Sequence, residues 1–370
     1  MNIDILSHEK NLSKNQERLA IADCDIHPSP KSVEAEIFPF LSKRWQDYMK
    51  TYGVIYRQGF PTGPAFPKGQ PNAARRDSYP TSGGKPGSDL SFMQSQHLNP
   101  NNVQLGVLNP LQCAQGVQNQ DFSAAYCNAV NQWQVEQWTS KDPRLKASLM
   151  VPYEDPLASI KEIEKWTGNK NFVQILLLSR TAEPLGQRKY WPIYEAACKA
   201  NLPVAVHAFG YGGAPVTGGG WPSFYIEEMV GHAQNTQSLL TSMVIEGVFE
   251  KFPALKLILV EAGFAWIPAL SWRLDKLWSR MRDEIPHVTR PPSQLIRDHV
   301  WVTTQPMEEP EERNQLLDTI EWIGWENLLF ATDYPHWDYD DPSRAMPIKI
   351  GKEQKEGFFL NNALKLYGLV

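Results

Sequence analysis

The sequence contains few cysteines, and their spacing indicates no structural or redox site. The four cysteines, Cys24, Cys113, Cys127 and Cys198, include no C-x-x-C pair. Zinc ribbons and thioredoxin-type sites depend on such a pair, so the sequence argues against both classes. We therefore expect reduced thiols in a cytoplasmic protein.

Long apolar runs and an excess of basic charge are also missing. The sequence has no apolar run of about 18 residues or more, so we expect no membrane span. The first residues are polar and charged without an apolar stretch, which argues against a secretory signal. The net charge of −5 argues against a nucleic-acid partner, because phosphate binding needs a basic surface.

The composition is that of an ordinary globular protein with many loops. The chain has 370 residues, of which 42% are hydrophobic and 21% are charged. Its 13 tryptophans and 29 prolines predict long ordered loops and an aromatic-lined site. We predict an N-terminal extension over residues 1–20 and a single domain over residues 21–370.

Short apolar runs alternate with amphipathic stretches, which is typical of βα units and a parallel sheet. The eight runs are Leu19–Asp25, Val103–Leu108, Leu145–Val151, Phe172–Leu178, Leu202–His207, Leu255–Val260, His299–Thr303 and Asn327–Ala331. The clearest helix-like stretches are Ala158–Trp166, Trp191–Lys199 and Thr236–Phe252. Eight strands spaced in this way predict a closed (β/α)8 TIM barrel, with a doubly wound open sheet as the alternative.

A long segment between the first two predicted strands lacks this pattern. Residues 52–90 are rich in glycine and proline and also contain tyrosine, phenylalanine and arginine. Long loops of this kind in compact domains are usually functional or disordered. We interpret the segment as a lid or wall of the active site, and a disordered insertion is the alternative.

Acidic and histidine side chains lie at or just beyond the ends of four predicted strands. They are Asp25 and His27 in the first, His207 in the fifth, Glu261 in the sixth, and Asp333 with His336 in the eighth. The active sites of parallel barrels lie at the carboxyl ends of the strands. Imidazole and carboxylate ligands suit Zn²⁺, Mn²⁺ or Fe²⁺, so we predict a divalent metal site without choosing among these ions.

These segments resemble the amidohydrolase superfamily, in the branch of aminocarboxymuconate-semialdehyde decarboxylase and the resorcylate-type decarboxylases. The resemblance runs from about Ile21 to the C-terminus and is most specific in GVFEKFPALKLILVEAGFAWIPALSWRLDKLW, NLPVAVHAFG and LLFATDYPHWD. It implies a distorted (β/α)8 barrel in which His27, His207 and Asp333 bind the metal. Asp25 takes a first-strand position that is histidine in some relatives and an acid in others.

The sixth strand departs from the family pattern. Many relatives carry histidine in an H-x-G setting at its end, whereas this chain has Glu261-Ala262-Gly263. A carboxylate there would act as a general base or as another metal ligand. We predict catalytic roles for Asp333, Glu261 and His336, with Asp333 both binding the metal and accepting a proton.

The same substitution suggests a second metal beside the first. Asp23, His232, Glu261 and His336 would then form a second site, although His232 could equally be a helix-surface or cap residue. Such a dinuclear iron or manganese centre resembles the amidohydrolase-like subunits of isobutylamine N-hydroxylase. An oxygenase is therefore the alternative function.

The leading hypothesis is a metal-dependent hydrolase or non-oxidative decarboxylase acting on a small, aromatic or carboxylated substrate. We expect Asn109, Arg76 and Trp337 to contact this substrate. A catalytically silent subunit of a hetero-oligomer is a further alternative. We also expect a homo-oligomer, or a hetero-oligomer with a paralogue. The stretch Gly263–Trp278 is the candidate interface, unless it only packs on the barrel.

Overall fold

The computed structural model describes residues 19–53, 73–112, 115–210 and 215–370. Its centre is a sheet of eight strands, each parallel to the next along the chain. The strands are β1 (Ile21–Ile26), β2 (Val103–Leu108), β3 (Leu145–Met150), β4 (Phe172–Arg180), β5 (Val204–Gly210), β6 (Leu257–Val260), β7 (Val300–Thr303) and β8 (Leu328–Leu329). The (β/α)8 prediction is confirmed, and sequential strand order rules out the doubly wound sheet.

Helices follow the strands around the outside. The longer ones are α2 (Lys43–Tyr52), α4 (Gln120–Gln134), α5 (Pro156–Trp166), α6 (Trp191–Ala200), α7 (Tyr225–Ile245), α9 (Ile267–Arg280), α10 (Pro292–His299) and α11 (Arg313–Ile323). The short ones are α1 (Val33–Glu36), α3 (Leu90–Met93), α8 (Val248–Lys251), α12 (Lys352–Glu356) and α13 (Asn362–Leu366). Among the described residues, no helix is long and apolar enough to span a membrane.

The predicted strands and helices overlap the observed ones, with two differences that bear on the site. The eighth strand is only two residues long, because Phe330 leaves the β7 ladder and bonds across to β1 instead. The helix predicted over Thr236–Phe252 begins earlier, at Tyr225, and breaks at Gly247, where φ is +81°. His232 therefore lies within α7.

The barrel closes where β1 meets the segment after β8. The Cys24 amide donates to the carbonyl of Phe330 at 3.0 Å, and the His27 amide donates to that of Tyr334 at 2.8 Å. These bonds bring the end of β1 beside the end of β8. The acidic and histidine side chains predicted at the ends of the first and eighth strands therefore lie next to each other.

The described part of the 52–90 insertion lies against the segment that follows β8. The Arg75 amide donates to the Pro335 carbonyl at 2.9 Å, and the Trp337 amide donates to the Ala73 carbonyl at 2.8 Å. This part therefore lies at the carboxyl end of the barrel, and its role as a lid or wall of the active site stays a prediction. The rest of the predicted lid, residues 54–72, lies outside the described residues, as do residues 1–18 of the predicted extension.

The Asp23 side chain holds β1 and the segment after β8 together. It is fully buried, and its carboxylate accepts hydrogen bonds from the Thr332 amide (2.9 Å) and hydroxyl (2.5 Å) and from the Asp25 amide (3.2 Å). His97 Nε2 lies 2.8 Å from the same carboxylate, and the Asn101 amide donates to His97 Nδ1. His97 therefore donates to Asp23, and β1 and β8 are joined through one carboxylate.

We predict that Asp23→Ala destabilises the protein by about 3 kcal/mol or more, because buried donors on Thr332 and His97 lose their acceptor. The midpoint of urea unfolding measures the change. Asp318→Ala, at an exposed position on α11, is the control and should change stability by less than about 0.5 kcal/mol. Equal effects of the two substitutions would contradict this role for Asp23.

Candidate metal centre

Five side chains from four strand ends meet at the carboxyl end of the barrel. They are Asp25 in β1, His27 directly after β1, His207 in β5, Glu261 after β6 and Asp333 after β8. His27 Nε2 lies 3.2 Å from Asp25 Oδ1 and 2.7 Å from Asp333 Oδ1. His207 Nε2 lies 3.4 Å from Asp25 Oδ2 and 3.3 Å from Glu261 Oε2. The predicted ligands fall into overlapping groups that could each hold an ion, such as Asp25 with His27 and His207, and His27 with Asp333 and His336.

Strained backbone positions place two of these carboxylates. Glu261 and Asp333 follow their strands with φ of 55° and 62°, a left-handed conformation that is unfavourable for residues other than glycine. Such conformations cost about 1 to 3 kcal/mol each and concentrate at functional sites. The backbone turns sharply at both strand ends, and both side chains reach the cluster.

Hydrogen bonds set the tautomers of the two central histidines. His27 Nδ1 lies 2.7 Å from the carbonyl of Asn109, and His207 Nδ1 contacts the carbonyl of Ala208. A carbonyl only accepts, so each Nδ1 carries the proton and each Nε2 keeps its lone pair. Both lone pairs are then available to a metal, in the arrangement typical of metal-binding histidines.

The cluster also contains buried polar atoms that the protein leaves unsatisfied. Among the described residues, the atoms with this property include Asp25 Oδ2, His27 Nε2, His207 Nε2 and Asp333 Oδ2. Burying a polar atom without a partner is costly, and such atoms need an explanation. Asp25, His27 and His207 offer ligand atoms within 4.8 Å of one another, so a divalent cation fits this group.

The electrostatics of the cluster favour a cation. Burial acts to raise the pKa of Asp25, but His27 and His207 hold it well below its usual range. Burial likewise opposes ionisation of Asp333, yet His336 and His27 lower its pKa to about 2. Burial alone would lower the pKa of His27, whereas Asp25 and Asp333 raise it well above its ordinary value. The raised pKa means that, without a metal, His27 would hold a second proton on Nε2. A bound cation would take the place of that proton.

Two further acidic side chains lie at the edge of the cluster. Burial raises the pKa of Glu261 well above its ordinary value, and the charges of Asp333 and Asp338 raise it further. Burial and the neighbouring Asp333 raise the pKa of Asp338 to about 8. Ionising Asp25, Asp333, Glu261 and Asp338 together in one buried space costs free energy, because like charges repel. A positive ion among them would offset that cost.

Asn109, which we expected to contact substrate, lies beneath the cluster. Its side chain is fully buried, and its amide donates to Asp25 Oδ1 at 2.8 Å. Its carbonyl oxygen accepts from the Ser148 hydroxyl (2.6 Å) and the Gln174 amide (3.0 Å). These contacts orient Asp25. Ser148 and Gln174, which the sequence analysis did not single out, complete the support through polar positions inside the barrel.

The residues predicted for a second metal site are only partly brought together. Glu261 lies beside His207, and His336 Nδ1 lies 2.7 Å from Asp333 Oδ1 with its ring stacked on His27. His232 lies on α7, and the carboxylate of Asp23 is occupied by donors of the protein itself. Among the described residues, the groups able to hold a metal include Glu261 and His336 but neither His232 nor Asp23.

A cavity of about 380 Å³ opens above the cluster. His27, Glu261 and His336 line it together with Phe209, Tyr225, Trp337 and Lys85. Trp337 therefore lines the cavity, and its contact with substrate stays a prediction. Arg76 is exposed and is not among the described residues that line this cavity, so its role in binding stays a prediction.

The family model described as amidohydrolase matches residues 22–369, and the chain belongs to this family. The family predicted from the strand-end segments is therefore confirmed. The chain is 28% identical to γ-resorcylate decarboxylase from Polaromonas sp. over 229 residues. That match covers 57% of this chain and 66% of the relative, just under two thirds of its length.

Solved structures share the fold at lower identity. An amidohydrolase from Mycobacterium avium subsp. paratuberculosis superposes with a TM-score of 0.70 at 19% identity, covering 95% of this chain and 99% of the other. The 5-carboxyvanillate decarboxylase of Novosphingobium aromaticivorans, complexed with manganese and 4-hydroxy-3-methoxy-5-nitrobenzoic acid, gives 0.68 at 16%, covering 95% and 96%. None of these proteins is an N-hydroxylase, and that narrower resemblance gains no support from them.

We predict that Gly87→Ala weakens metal binding by disturbing His27. A Cβ at Gly87, where φ is +71°, would lie 2.2 Å from the His27 carbonyl oxygen. Gly83→Ala is the matched control, because its φ is +82° and nothing lies within 4 Å of the added carbon. The added backbone strain is similar in both variants, so a difference between them reports the contact with the His27 carbonyl. Only Gly87→Ala should therefore lower metal affinity, which competition with a chelator measures. Equal losses would show that strain alone matters.

We predict that Asn109→Ala lowers metal affinity by about 10- to 100-fold, the usual effect of removing a group that orients a metal ligand. The same competition assay measures it. Asn128→Ala, which removes a partly buried amide bonded to Glu162 on the outer helices, is the control. If Asn109 contacts substrate instead, its loss will raise KM and leave metal affinity unchanged.

Proposed function

We propose that the protein is a metal-dependent carboxy-lyase that releases carbon dioxide from a small aromatic carboxylate without oxidation. The observation that carries the proposal is the set of four buried, unsatisfied ligand atoms on Asp25, His27, His207 and Asp333, next to a cavity that His27 lines. The similarity to γ-resorcylate decarboxylase supports the choice of reaction. It favours decarboxylation over hydrolysis, the other half of our sequence-based hypothesis.

The cluster would hold one divalent ion through Asp25, His27, His207 and Asp333. Mixed imidazole and carboxylate ligands suit manganese as well as zinc or iron, and manganese is present in the Novosphingobium structure. A bound ion would supply Lewis-acid polarisation of substrate oxygen atoms. Because Asn109 and the carbonyls beside His27 and His207 fix three ligands, the site is organised before substrate arrives.

The cavity walls suit an aromatic acid. Phe209 and Trp337 offer apolar surface to a ring, while Lys85 is the cationic side chain among the described lining residues. This ammonium group would attract an anionic substrate, and a bound metal ion would add further positive charge. The walls would therefore orient the ring with its carboxylate toward the metal ligands.

The reaction also requires one proton. Cleavage of the bond between ring and carboxylate leaves its electron pair on the ring carbon, which takes up a proton as carbon dioxide departs. His336 Nδ1 lies 2.7 Å from Asp333 Oδ1, and His336 borders the cavity with part of its ring exposed. We assign the pair the task of holding and supplying this proton. Glu261 stays a predicted base or additional ligand.

The other functions weighed from the sequence have less support. A dinuclear oxygenase needs a second complete ligand set, and Asp23 is engaged in closing the barrel instead. A silent subunit has no chemical need for the unsatisfied ligand atoms at the cluster. The predicted interface, Gly263–Trp278, includes most of α9, whose buried residues Ile267 and Leu274 face the barrel while Trp272 is exposed. Oligomerisation through this surface stays a prediction.

We predict about one metal ion per chain and release of carbon dioxide from 2,6-dihydroxybenzoate or 5-carboxyvanillate by the manganese-loaded protein. Elemental analysis and a coupled carbon dioxide assay measure the two. Asp25→Ala removes a ligand itself, so it should lower metal affinity and activity by a larger factor than loss of an orienting residue does, which is about 10- to 100-fold. Asp318→Ala should retain both.

Two metal ions per chain with consumption of O₂ would contradict this proposal and favour the oxygenase. Full metal content without any decarboxylation of aromatic acids would also contradict it. Chelator treatment followed by restoration with Mn²⁺ separates loss of metal from loss of fold, because folded apoprotein regains activity.

A further inference from the structure

A second cavity, of about 470 Å³, adjoins the one above the metal ligands. The residues that line both are Tyr225, Met229, His232, Glu261, Trp337 and Asp338. Glu261 therefore borders this second space and also lies 3.3 Å from His207 in the cluster. We call this space the side cavity, and it continues the catalytic cavity.

The side cavity is apolar where it leaves the cluster. Its own walls are formed by Ile226, Val230, Ala262, Pro306 and Met307. Glu308 also borders it, but its carboxylate accepts the backbone amides of Phe264 and Ala265 at 3.1 to 3.3 Å. That carboxylate is therefore engaged with the turn that precedes α9. The space suits a hydrocarbon group better than a charged one.

The first turns of α7 present their apolar side chains to this space. Ile226 and Val230 are four residues apart, so they lie on one face of the helix. They are 71% and 58% exposed, although both are β-branched aliphatic residues. An exposed apolar face that continues into a cavity is typical of a ligand-binding surface.

The border between the two cavities includes the aromatic rings of Tyr225 and Trp337. Trp337 Nε1 donates to the Tyr225 hydroxyl at 3.2 Å, and the two rings lie 6.2 Å apart. This bond joins α7 to the segment that follows β8. A ring held at the metal ligands would therefore have an aromatic border beside it and an apolar space beyond.

We infer that the substrate is an aromatic carboxylate bearing an apolar substituent, and that this substituent occupies the side cavity. The inference rests on the proposed function for the carboxylate and the ring, and it adds the substituent. Ile226, Val230 and Met307 are then specificity-determining residues. They contact the part of the substrate that does not react.

The test uses the manganese-loaded protein and resorcinols, which are what decarboxylation of 2,6-dihydroxybenzoates leaves. Calorimetry gives Kd for resorcinol and for resorcinols with linear alkyl chains of increasing length at either free ring position. Each methylene buried in the side cavity should lower Kd by about fourfold until the chain reaches solvent. Kd that does not change with chain length would overturn the inference.

Substitutions in the side cavity test whether the dependence of Kd on chain length arises there. Ile226→Gln and Val230→Gln should each reduce the ratio between the Kd of resorcinol and that of its long-chain derivative by several-fold. Leu157→Gln is the matched control, because Leu157 is also the second residue of its helix and is 70% exposed. The control should leave the ratio unchanged. A reduction as large with Leu157→Gln would overturn the assignment.

Decarboxylation of the corresponding acids separates this inference from the proposed function. Turnover of unsubstituted and alkylated dihydroxybenzoates at equal kcat/KM would leave the function standing and overturn the inference. If no acid releases carbon dioxide but Kd still falls with alkyl chain length, the proposed function is overturned and the side cavity remains an apolar binding site. A change from dimer to monomer in Ile226→Gln would show that a second copy covers this face, which also overturns the inference.

Discussion

The structure depends on placing negative charge where water is excluded. Asp25 and Asp333 are fully buried, and each contacts the imidazole of His27. Burying a carboxylate without compensation costs several kcal/mol, so a cation or a shared proton must accompany this arrangement. The histidine tautomers, the unsatisfied ligand atoms and the raised pKa of Glu261 all reflect the same concentration of charge. A divalent ion accounts for them together.

Barrel closure and site assembly are the same physical event. Asp23 accepts hydrogen bonds from the Thr332 and Asp25 amides, so the bond that joins β1 to β8 also sets the positions of Asp25 and Asp333. Asn109 extends this support to β2, because its backbone amide donates to the Ile26 carbonyl and its side chain to Asp25. A change at the closure should therefore alter stability and metal binding together.

The proposed chemistry and the proposed substrate class arise from different parts of the molecule. Strand ends supply the ligands, whereas α7 and the loop after β7, with Met307, supply the apolar walls of the side cavity. Glu261 belongs to both, since it contacts His207 and borders the side cavity. Loops and helices around a barrel can vary while the strand ends keep their chemistry, which is why one fold serves many substrates.

The sequence by itself determined the barrel and the positions of Asp25, His27, His207 and Asp333. Apolar runs of strand length show where each strand ends, and parallel strands bring those ends to one face. Only the tertiary structure decided what Asp23, Asn109 and α7 do. His97 lies 74 residues from Asp23 along the chain, and Ser148 lies 39 from Asn109. Such partners depend on strand register and on the closure between β1 and β8, which no local pattern of residues records.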